Sequence, residues 1–180
     1  MPLLVIAAVA IVSTTGGSSS KGSTPPGPLT LAAPPFATQQ AAACTKVLTL
    51  LPVQLNKLAP RAVHTTPDTP FVVAWGDPAV ILRCGVARPV SLKPGSSAQY
   101  FQNGNAANGP FFDVTKGKDG NVFTTVDRAA YVSITVPSAY QGATQVPPLS
   151  DAIAKALPAV CSVPDNNGNS GTLPLCTQRR

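Results

Sequence analysis

The sequence predicts a small α+β fold: an antiparallel, meander-type sheet with two helices packed on one face, stapled by disulfides. Strand-like segments separated by turn residues follow one another closely between residues 71 and 136, which indicates hairpin and meander connections. Apolar residues at helical spacing lie before and after these strands. The chain has 180 residues and four cysteines without a C-x-x-C spacing, which favours one disulfide-stapled domain.

The first helix is expected to begin at Cys44. The apolar residues that follow recur at helical spacing and form a stripe that would face a core: Val47, Leu48, Leu51, Leu55 and Leu58. Pro52 is expected to kink or split this helix and Pro60 to end it, because proline lacks the N–H that a helix interior uses.

Residues 71–75 and 79–84 flank the turn sequence Gly76-Asp77-Pro78 and predict a β-hairpin. The second of these strands is apolar on both faces except at Arg83, and a buried guanidinium needs an acceptor. The acceptors that the sequence offers are Asp77, Asp113, Asp127, a group of backbone carbonyls, or a bound anion. In the alternative interpretation, Arg83 lies at a sheet edge or extends to solvent.

A meander is predicted after this hairpin. Residues 110–114 and 122–126 surround Asp119-Gly120, a dipeptide typical of tight hairpin turns. Residues 129–136 alternate strictly between apolar and polar types. This alternation places Ala130, Val132, Ile134 and Val136 inward and Tyr131, Ser133 and Thr135 outward.

A second helix is predicted after a loop over residues 138–148. Leu149 opens this helix, with Ser150 as its N-cap. The apolar residues after that point are spaced to cover the same face of the sheet as the first helix.

The two ends of the chain differ in composition from this domain. Residues 1–12 are expected to be a signal-peptide h-region or an N-terminal membrane anchor, since their apolar run is shorter than the roughly 20 residues of a spanning helix. Residues 13–43 are expected to be a disordered Ser/Gly/Pro-rich linker, residues 44–161 the single domain, and residues 162–180 a turn-rich tail.

The cysteines indicate an oxidising compartment and hence export. We expect the pairs Cys44–Cys84, which joins the first helix to the central strand, and Cys161–Cys176, which closes a loop in the tail. The crossed pairing, Cys44 with Cys161 and Cys84 with Cys176, is the alternative. A Cys84–His64 nucleophile is disfavoured, because a disulfide-bonded sulfur is not a thiolate.

Composition limits the partners. The 13 Lys and Arg residues outnumber seven Asp, and the sequence has no Glu, yet the basic residues are scattered. Nucleic-acid binding is therefore not expected, since it normally needs a basic patch. We expect no cofactor and no metal. The mild basicity is compatible with an anionic cell-envelope component as partner, and a solvated, evenly mixed surface is the favoured alternative. Membrane contact is expected only through the N-terminal segment.

One group of motifs is similar to a known family. They are Cys44 with Leu50-Leu51-Pro52, Trp75-Gly76-Asp77-Pro78, Leu82-Arg83-Cys84-Gly85-Val86 with Arg88-Pro89, and Asp127-Arg128 before a strand ending in Val136-Pro137. Together they resemble the actinobacterial secreted family known as domain of unknown function 3515, over about residues 44–160. The resemblance implies an exported or membrane-anchored envelope protein, and it implies no activity or catalytic residue.

The leading hypothesis is a non-catalytic binding or structural module of the cell envelope. Its candidate ligand-binding residues are Trp75, Asp77, Arg83, Arg88 and Arg128: the indole for stacking, the guanidinium groups for a carboxylate or phosphate, and Asp77 to orient an arginine. The alternative is a small envelope hydrolase or transferase that uses Trp75, Asp77 and Arg83. No catalytic residue is assigned.

Overall fold

The computed structural model describes residues 26–92, 100–102 and 109–160. Within this part the chain forms two helices and nine strands. In chain order they are β1 (Leu29–Ala32), α1 (Ala41–Leu50), β2 (Pro60–Arg61), β3 (Val63–Thr66), β4 (Val72–Trp75), β5 (Val80–Cys84), β6 (Tyr100–Gln102), β7 (Phe111–Lys116), β8 (Gly120–Thr125), β9 (Val132–Pro137) and α2 (Gly142–Ala156). Neither helix is long and apolar enough to cross a bilayer.

Seven of these strands form one antiparallel sheet in the order β2-β4-β5-β9-β8-β7-β6. The predicted hairpin is β4–β5, and the predicted meander is β7–β8–β9. Strand β9 then pairs with β5 and joins the two units at the centre of the sheet. A small parallel pair, β1 with β3, accompanies the main sheet. The α+β class is therefore confirmed.

One face of the sheet carries both helices and the main core. Along β5, Val80, Leu82 and Cys84 are completely buried, and Ile134 of β9 lies beside Leu82 on the same face. Both helices pack against this face through apolar side chains, which are Cys44 and Val47 from α1, Val146, Leu149 and Ile153 from α2, and Leu157 directly after α2. The predicted inward set of β9 is confirmed, because these residues belong to this core. We call this side the helix face.

The first helix begins at Ala41, three residues before the predicted start at Cys44, and it is shorter than predicted. It ends at Leu50, and Leu51 is already extended, with φ −68° and ψ 142°. Pro52 follows directly, and a residue before proline is driven out of the helical region by the proline ring. The extension of the helix to Pro60 is therefore wrong. Leu55 is still fully buried, but it reaches the core from an irregular segment in which it bridges to Leu58.

The second helix begins earlier than predicted. It starts at Gly142 and contains Pro147 and Pro148, so Ser150 is an interior residue and not the N-cap. Pro148 has no N–H to donate to the carbonyl of Thr144, four residues earlier. The side-chain amide of Asn56 supplies that donor at 3.0 Å. A contact from a distant part of the chain thus makes this proline-containing turn possible.

The expected linker over residues 13–43 is wrong for its C-terminal part. Strand β1 pairs with β3, and Ala37 is 6% exposed. This segment packs closely against Gly85. The Gly85 carbonyl accepts a hydrogen bond from the Phe36 N–H at 2.9 Å, and a Cβ at Gly85 would lie 2.8 Å from the Ala37 Cα. Residue 85 also has φ +86°, which favours glycine. The domain therefore begins before Cys44.

The predicted disulfide between Cys44 and Cys84 is confirmed, with an S–S distance of 2.06 Å. Both cysteines are fully buried, and the bridge joins α1 to β5. The crossed pairing is therefore wrong. The predictions for Cys161–Cys176, for residues 1–12 and for the tail concern residues outside the described ranges.

Removal of this disulfide should destabilise the domain strongly. The cysteines are 40 residues apart, and closing a loop of that length in the unfolded chain corresponds to about 4 kcal/mol. We expect the double variant Cys44→Ala/Cys84→Ala to lose about that free energy of unfolding in urea titrations. Reductant should destabilise the wild-type protein more than the double variant, which retains Cys161 and Cys176. Equal stability of variant and wild type would contradict the role given to this bridge.

Candidate functional site

The five predicted binding residues do not converge on one site. Trp75 is 1% exposed and belongs to the main core on the helix face. Its indole N–H donates to the Val53 carbonyl at 3.2 Å. The ring is therefore engaged in core packing, and its surface is not available for stacking on a ligand.

Asp77 lies in the β4–β5 turn and pairs with Arg61. Its carboxylate accepts a hydrogen bond from Arg61 Nη1 at 2.8 Å, and Arg61 Nε donates to the Gly27 carbonyl at 2.9 Å. Arg61 thus connects the turn to the segment that leads into β1. The Asp77 side chain is 62% exposed, so this ion pair contributes little to stability. Sequence reasoning missed Arg61, which is one of several scattered basic residues and carries no local motif.

Arg88 closes a loop of the backbone. Its Nε and Nη2 atoms donate to the Leu92 carbonyl at 3.3 and 2.9 Å. The Leu92 N–H in turn donates to the Pro89 carbonyl at 3.1 Å. The Arg88 guanidinium therefore holds the loop that leaves the central strand.

Arg128 is buried and forms an ion pair. Its Nη1 lies 2.7 Å from Asp127 Oδ2, and both side chains are 1% exposed. Asp127 Oδ1 also accepts the Phe111 N–H at 2.9 Å, while the Asp127 carbonyl accepts the Val160 N–H at 2.8 Å. This pair therefore ties β7 and the segment after α2 to the β8–β9 connection.

Burial dominates the electrostatics of this pair. Desolvation raises the pKa of Asp127, and the attraction of Arg128 and the hydrogen bond from Phe111 oppose that rise only in part. Desolvation likewise lowers the pKa of Arg128, against the attraction of Asp127. Such a pair is a structural feature, since no ligand can reach either charge.

Arg83 is different from the other arginines. It lies on β5 between Leu82 and Cys84, so it points away from the helix face, and it is half-buried. Within residues 26–92, 100–102 and 109–160, its guanidinium forms no ion pair and donates no hydrogen bond. Burial lowers its pKa. A partly desolvated cation without an acceptor is the strongest signal of a ligand in the described part of the chain.

A line of polar residues crosses the sheet at Arg83. Four polar residues lie directly opposite one another on the neighbouring strands β5, β9, β8 and β7. We call them the polar row: Arg83, Ser133, Thr124 and Asp113. Asp113 accepts a hydrogen bond from the Ser91 hydroxyl at 2.8 Å. The side-chain hydroxyls of Ser133 and Thr124 have no hydrogen bond within the described ranges, and neither is sealed from solvent.

The polar row lies on the sheet face opposite the helices, which we call the open face because neither helix covers it. Ser133 and Asp113 on this face are only 6% and 7% exposed. At one end of this face Phe111 and Tyr131 pack on a second small core of Leu92 and Val126. At the other end is a groove of about 550 Å³. Its lining residues are Leu29, Pro78, Ala79, Ile81, Lys118, Asp119, Thr135, Pro137, Ser138 and Ala139.

Sequence reasoning singled out Arg83 and missed the rest of the open face. The alternation in residues 129–136 did point Ser133 and Thr135 outward, away from the core. Their position beside Arg83 and Ile81 depends on the pairing of β5 with β9, which are about 50 residues apart in the chain. No local pattern encodes that register.

The arrangement can bind an anion through Arg83 with help from a neighbouring hydroxyl. A thiolate nucleophile at Cys84 is excluded by its bond to Cys44. His64 lies on β3, outside the main sheet, and is exposed.

Comparison with known proteins gives one match. A family profile described as "Protein of unknown function (DUF3515)" matches residues 1–161. No curated protein sequence and no solved structure matches the chain. The family match confirms the resemblance found in the sequence and assigns no activity to any residue.

Replacement of Arg83 by leucine should leave the fold intact. Arg83 has no partner in the described ranges, so Arg83→Leu breaks no interaction there, and we expect a change of about 0.5 kcal/mol or less in the free energy of unfolding. The matched control Arg128→Leu leaves the Asp127 carboxylate buried without its cation and should cost about 3–5 kcal/mol. Urea titrations of both variants measure this difference. A large loss of stability in Arg83→Leu would show that the guanidinium serves the fold.

The pH dependence of stability should report the burial of Asp127. A carboxyl whose folded pKa is raised stabilises the fold at low pH, and that contribution is lost as the pH rises from about 4 through the folded pKa. Asp127→Asn keeps an acceptor for the Phe111 N–H and removes the titration. We therefore expect wild-type stability to fall relative to Asp127→Asn as the pH rises. A relative gain with rising pH would mean that the attraction of Arg128 outweighs burial.

Proposed function

This chain belongs to the family described as Protein of unknown function (DUF3515), and within it we propose an exported cell-envelope module that binds an anionic envelope component without transforming it. The proposal of anion binding rests on the environment of Arg83. This residue is a half-buried cation on the open face, and it has no acceptor in the described ranges.

Two features support export. The Cys44–Cys84 disulfide is fully buried, and disulfides persist in oxidising compartments. The sequence of residues 2–12 is apolar throughout, with the length of a signal-peptide h-region, and Ser, Gly and Pro dominate the stretch after it. Together these features favour a domain that is exported and held at, or released into, the envelope.

The different environments of the arginines support binding at one place. Arg61 and Arg128 each have a carboxylate partner, and Arg88 has a backbone carbonyl. Of these four, Arg83 is the one without a partner in the described part of the chain, and its nitrogens remain in contact with solvent. A bound anion would satisfy the guanidinium in a site that is already partly desolvated, where hydrogen bonds to charge are strongest.

The rival function, a hydrolase or transferase that uses Trp75, Asp77 and Arg83, gains no support from the geometry. Trp75 lies in the core on the helix face, Arg83 lies on the open face, and Asp77 pairs with Arg61 at a turn. The three side chains therefore do not surround a common substrate position.

Binding to the envelope should depend on Arg83. We expect the wild-type full chain to fractionate with the envelope with Cys44–Cys84 oxidised, as measured by cell fractionation and non-reducing mass mapping. Titrated against isolated envelope fragments, Arg83→Gln should bind about ten- to a hundredfold more weakly, because a hydrogen bond to a charged group contributes about 1.5–3 kcal/mol.

Arg61→Gln is the matched control for this experiment. It removes the same charge and keeps the same N-terminal segment, but Arg61 already has Asp77 as its partner. We expect it to bind envelope fragments like the wild type. If both variants bind envelope fragments equally weakly, the effect is due to the loss of net charge alone. Equal binding by the wild type and both variants would contradict a role for Arg83.

A further inference from the structure

We propose that the open face binds a single-chain amphipathic carboxylate, with its head group on Arg83 and Ser133 and its apolar chain in the groove beside Ile81 and Thr135. This inference rests on the proposed function and names the chemistry of the anion. The Arg83–Ser133 pair and the groove are neighbours on the same two strands, β5 and β9.

The head-group position follows from the strand register. Arg83 and Ser133 are directly opposed on β5 and β9. Opposed residues on one face have Cβ atoms about 4.5–5.5 Å apart, so a guanidinium and a hydroxyl can donate to the same anion. Ser133 is 6% exposed and its hydroxyl has no hydrogen bond in the described ranges.

The charge of the site favours a carboxylate. Arg83 supplies one positive charge, and its planar fork of donors matches the two oxygens of a carboxylate. The nearest acidic residue in the polar row is Asp113, three strands away from Arg83, where it accepts the Ser91 hydroxyl. One guanidinium therefore balances one negative charge.

The groove continues from the head-group position along the same strands. Ile81 is two residues before Arg83 on β5, and Thr135 is two residues after Ser133 on β9, and these two residues are also opposed. Two residues of strand span about 6.8 Å, so the groove begins within one arginine side-chain length of Arg83.

The lining of the groove indicates what the rest of the ligand is. Close to the polar row it is formed by Ile81 and Thr135, and further out by Ala79, Pro78 and Pro137. These side chains offer apolar surface to an alkyl chain. At the far end Lys118 and Asp119 have opposite charges, so that end gives no net attraction to a second anionic group. One anionic head and one apolar chain fit this distribution.

The length of the site along the strands limits the length of the ligand's alkyl chain. Ala79 precedes Arg83 by four residues and Pro137 follows Ser133 by four residues, which corresponds to about 14 Å of extended chain. A medium-length alkyl chain lies within that distance, and we therefore choose decanoate as the probe.

Calorimetric titration of the oxidised full chain with decanoate, below its micelle concentration, tests this inference. We expect saturable binding, with a dissociation constant raised about ten- to a hundredfold in Arg83→Gln and unchanged in Arg61→Gln. Ala79→Trp, which fills the groove and keeps Arg83, should also weaken the binding of decanoate. Acetate, which has the head group alone, should bind far more weakly than decanoate.

Backbone NMR of the wild-type protein provides a readout that needs no variant. Decanoate should shift the amide resonances of Ile81, Arg83, Ser133 and Thr135 and leave those of α1 unchanged. Shifts confined to other parts of the chain, or equal decanoate affinity in the wild type and Arg83→Gln, would overturn the inference. Tighter binding of decyl phosphate than of decanoate would overturn the choice of head group.

Failure of this inference is distinguishable from failure of the proposed function. If decanoate does not bind but Arg83→Gln still lowers binding to envelope fragments, the anion is of another kind and the proposed function remains. If neither measurement responds to Arg83, both are wrong.

Discussion

The structure depends on the two-residue repeat of β5, an interior strand of the main sheet. Val80, Leu82 and Cys84 face the helices and are completely buried, whereas Ile81 and Arg83 face the other way. The disulfide to α1 fixes this orientation, because a shift of one residue would carry Cys84 to the opposite face. The same alternation that builds the core therefore determines that Arg83 lies on the open face.

The arginines show how burial and pairing decide between structure and binding. Arg128 is almost fully buried, and it is compatible with the fold because Asp127 lies 2.7 Å away. Arg83 is less buried and has no partner in the described ranges, so a ligand can reach and satisfy it. A charge enclosed with its partner supports the fold, whereas a half-buried charge without a partner in the described ranges is a candidate for ligand binding.

Local patterns in the sequence predicted much of the fold. The β4–β5 hairpin, the Asp119-Gly120 turn and the inward face of β9 follow from turn chemistry and alternation. The errors arose where distant residues act. Helix α2 accommodates Pro148 because Asn56 caps the freed carbonyl of Thr144, and the candidate site needs the β5–β9 register to bring Ser133 beside Arg83. Only Arg83 was recognisable beforehand, as a charge in an apolar strand.

The central claim is that the Arg83 guanidinium is the group that meets the anion. The most direct measurement is NMR of the arginine side-chain Nε–H resonances in the oxidised protein while envelope extract is added. The account predicts a shift and slower hydrogen exchange for Arg83, with Arg61 and Arg128 unchanged. An unchanged Arg83 resonance at saturation, or equal shifts for all three arginines, would contradict it.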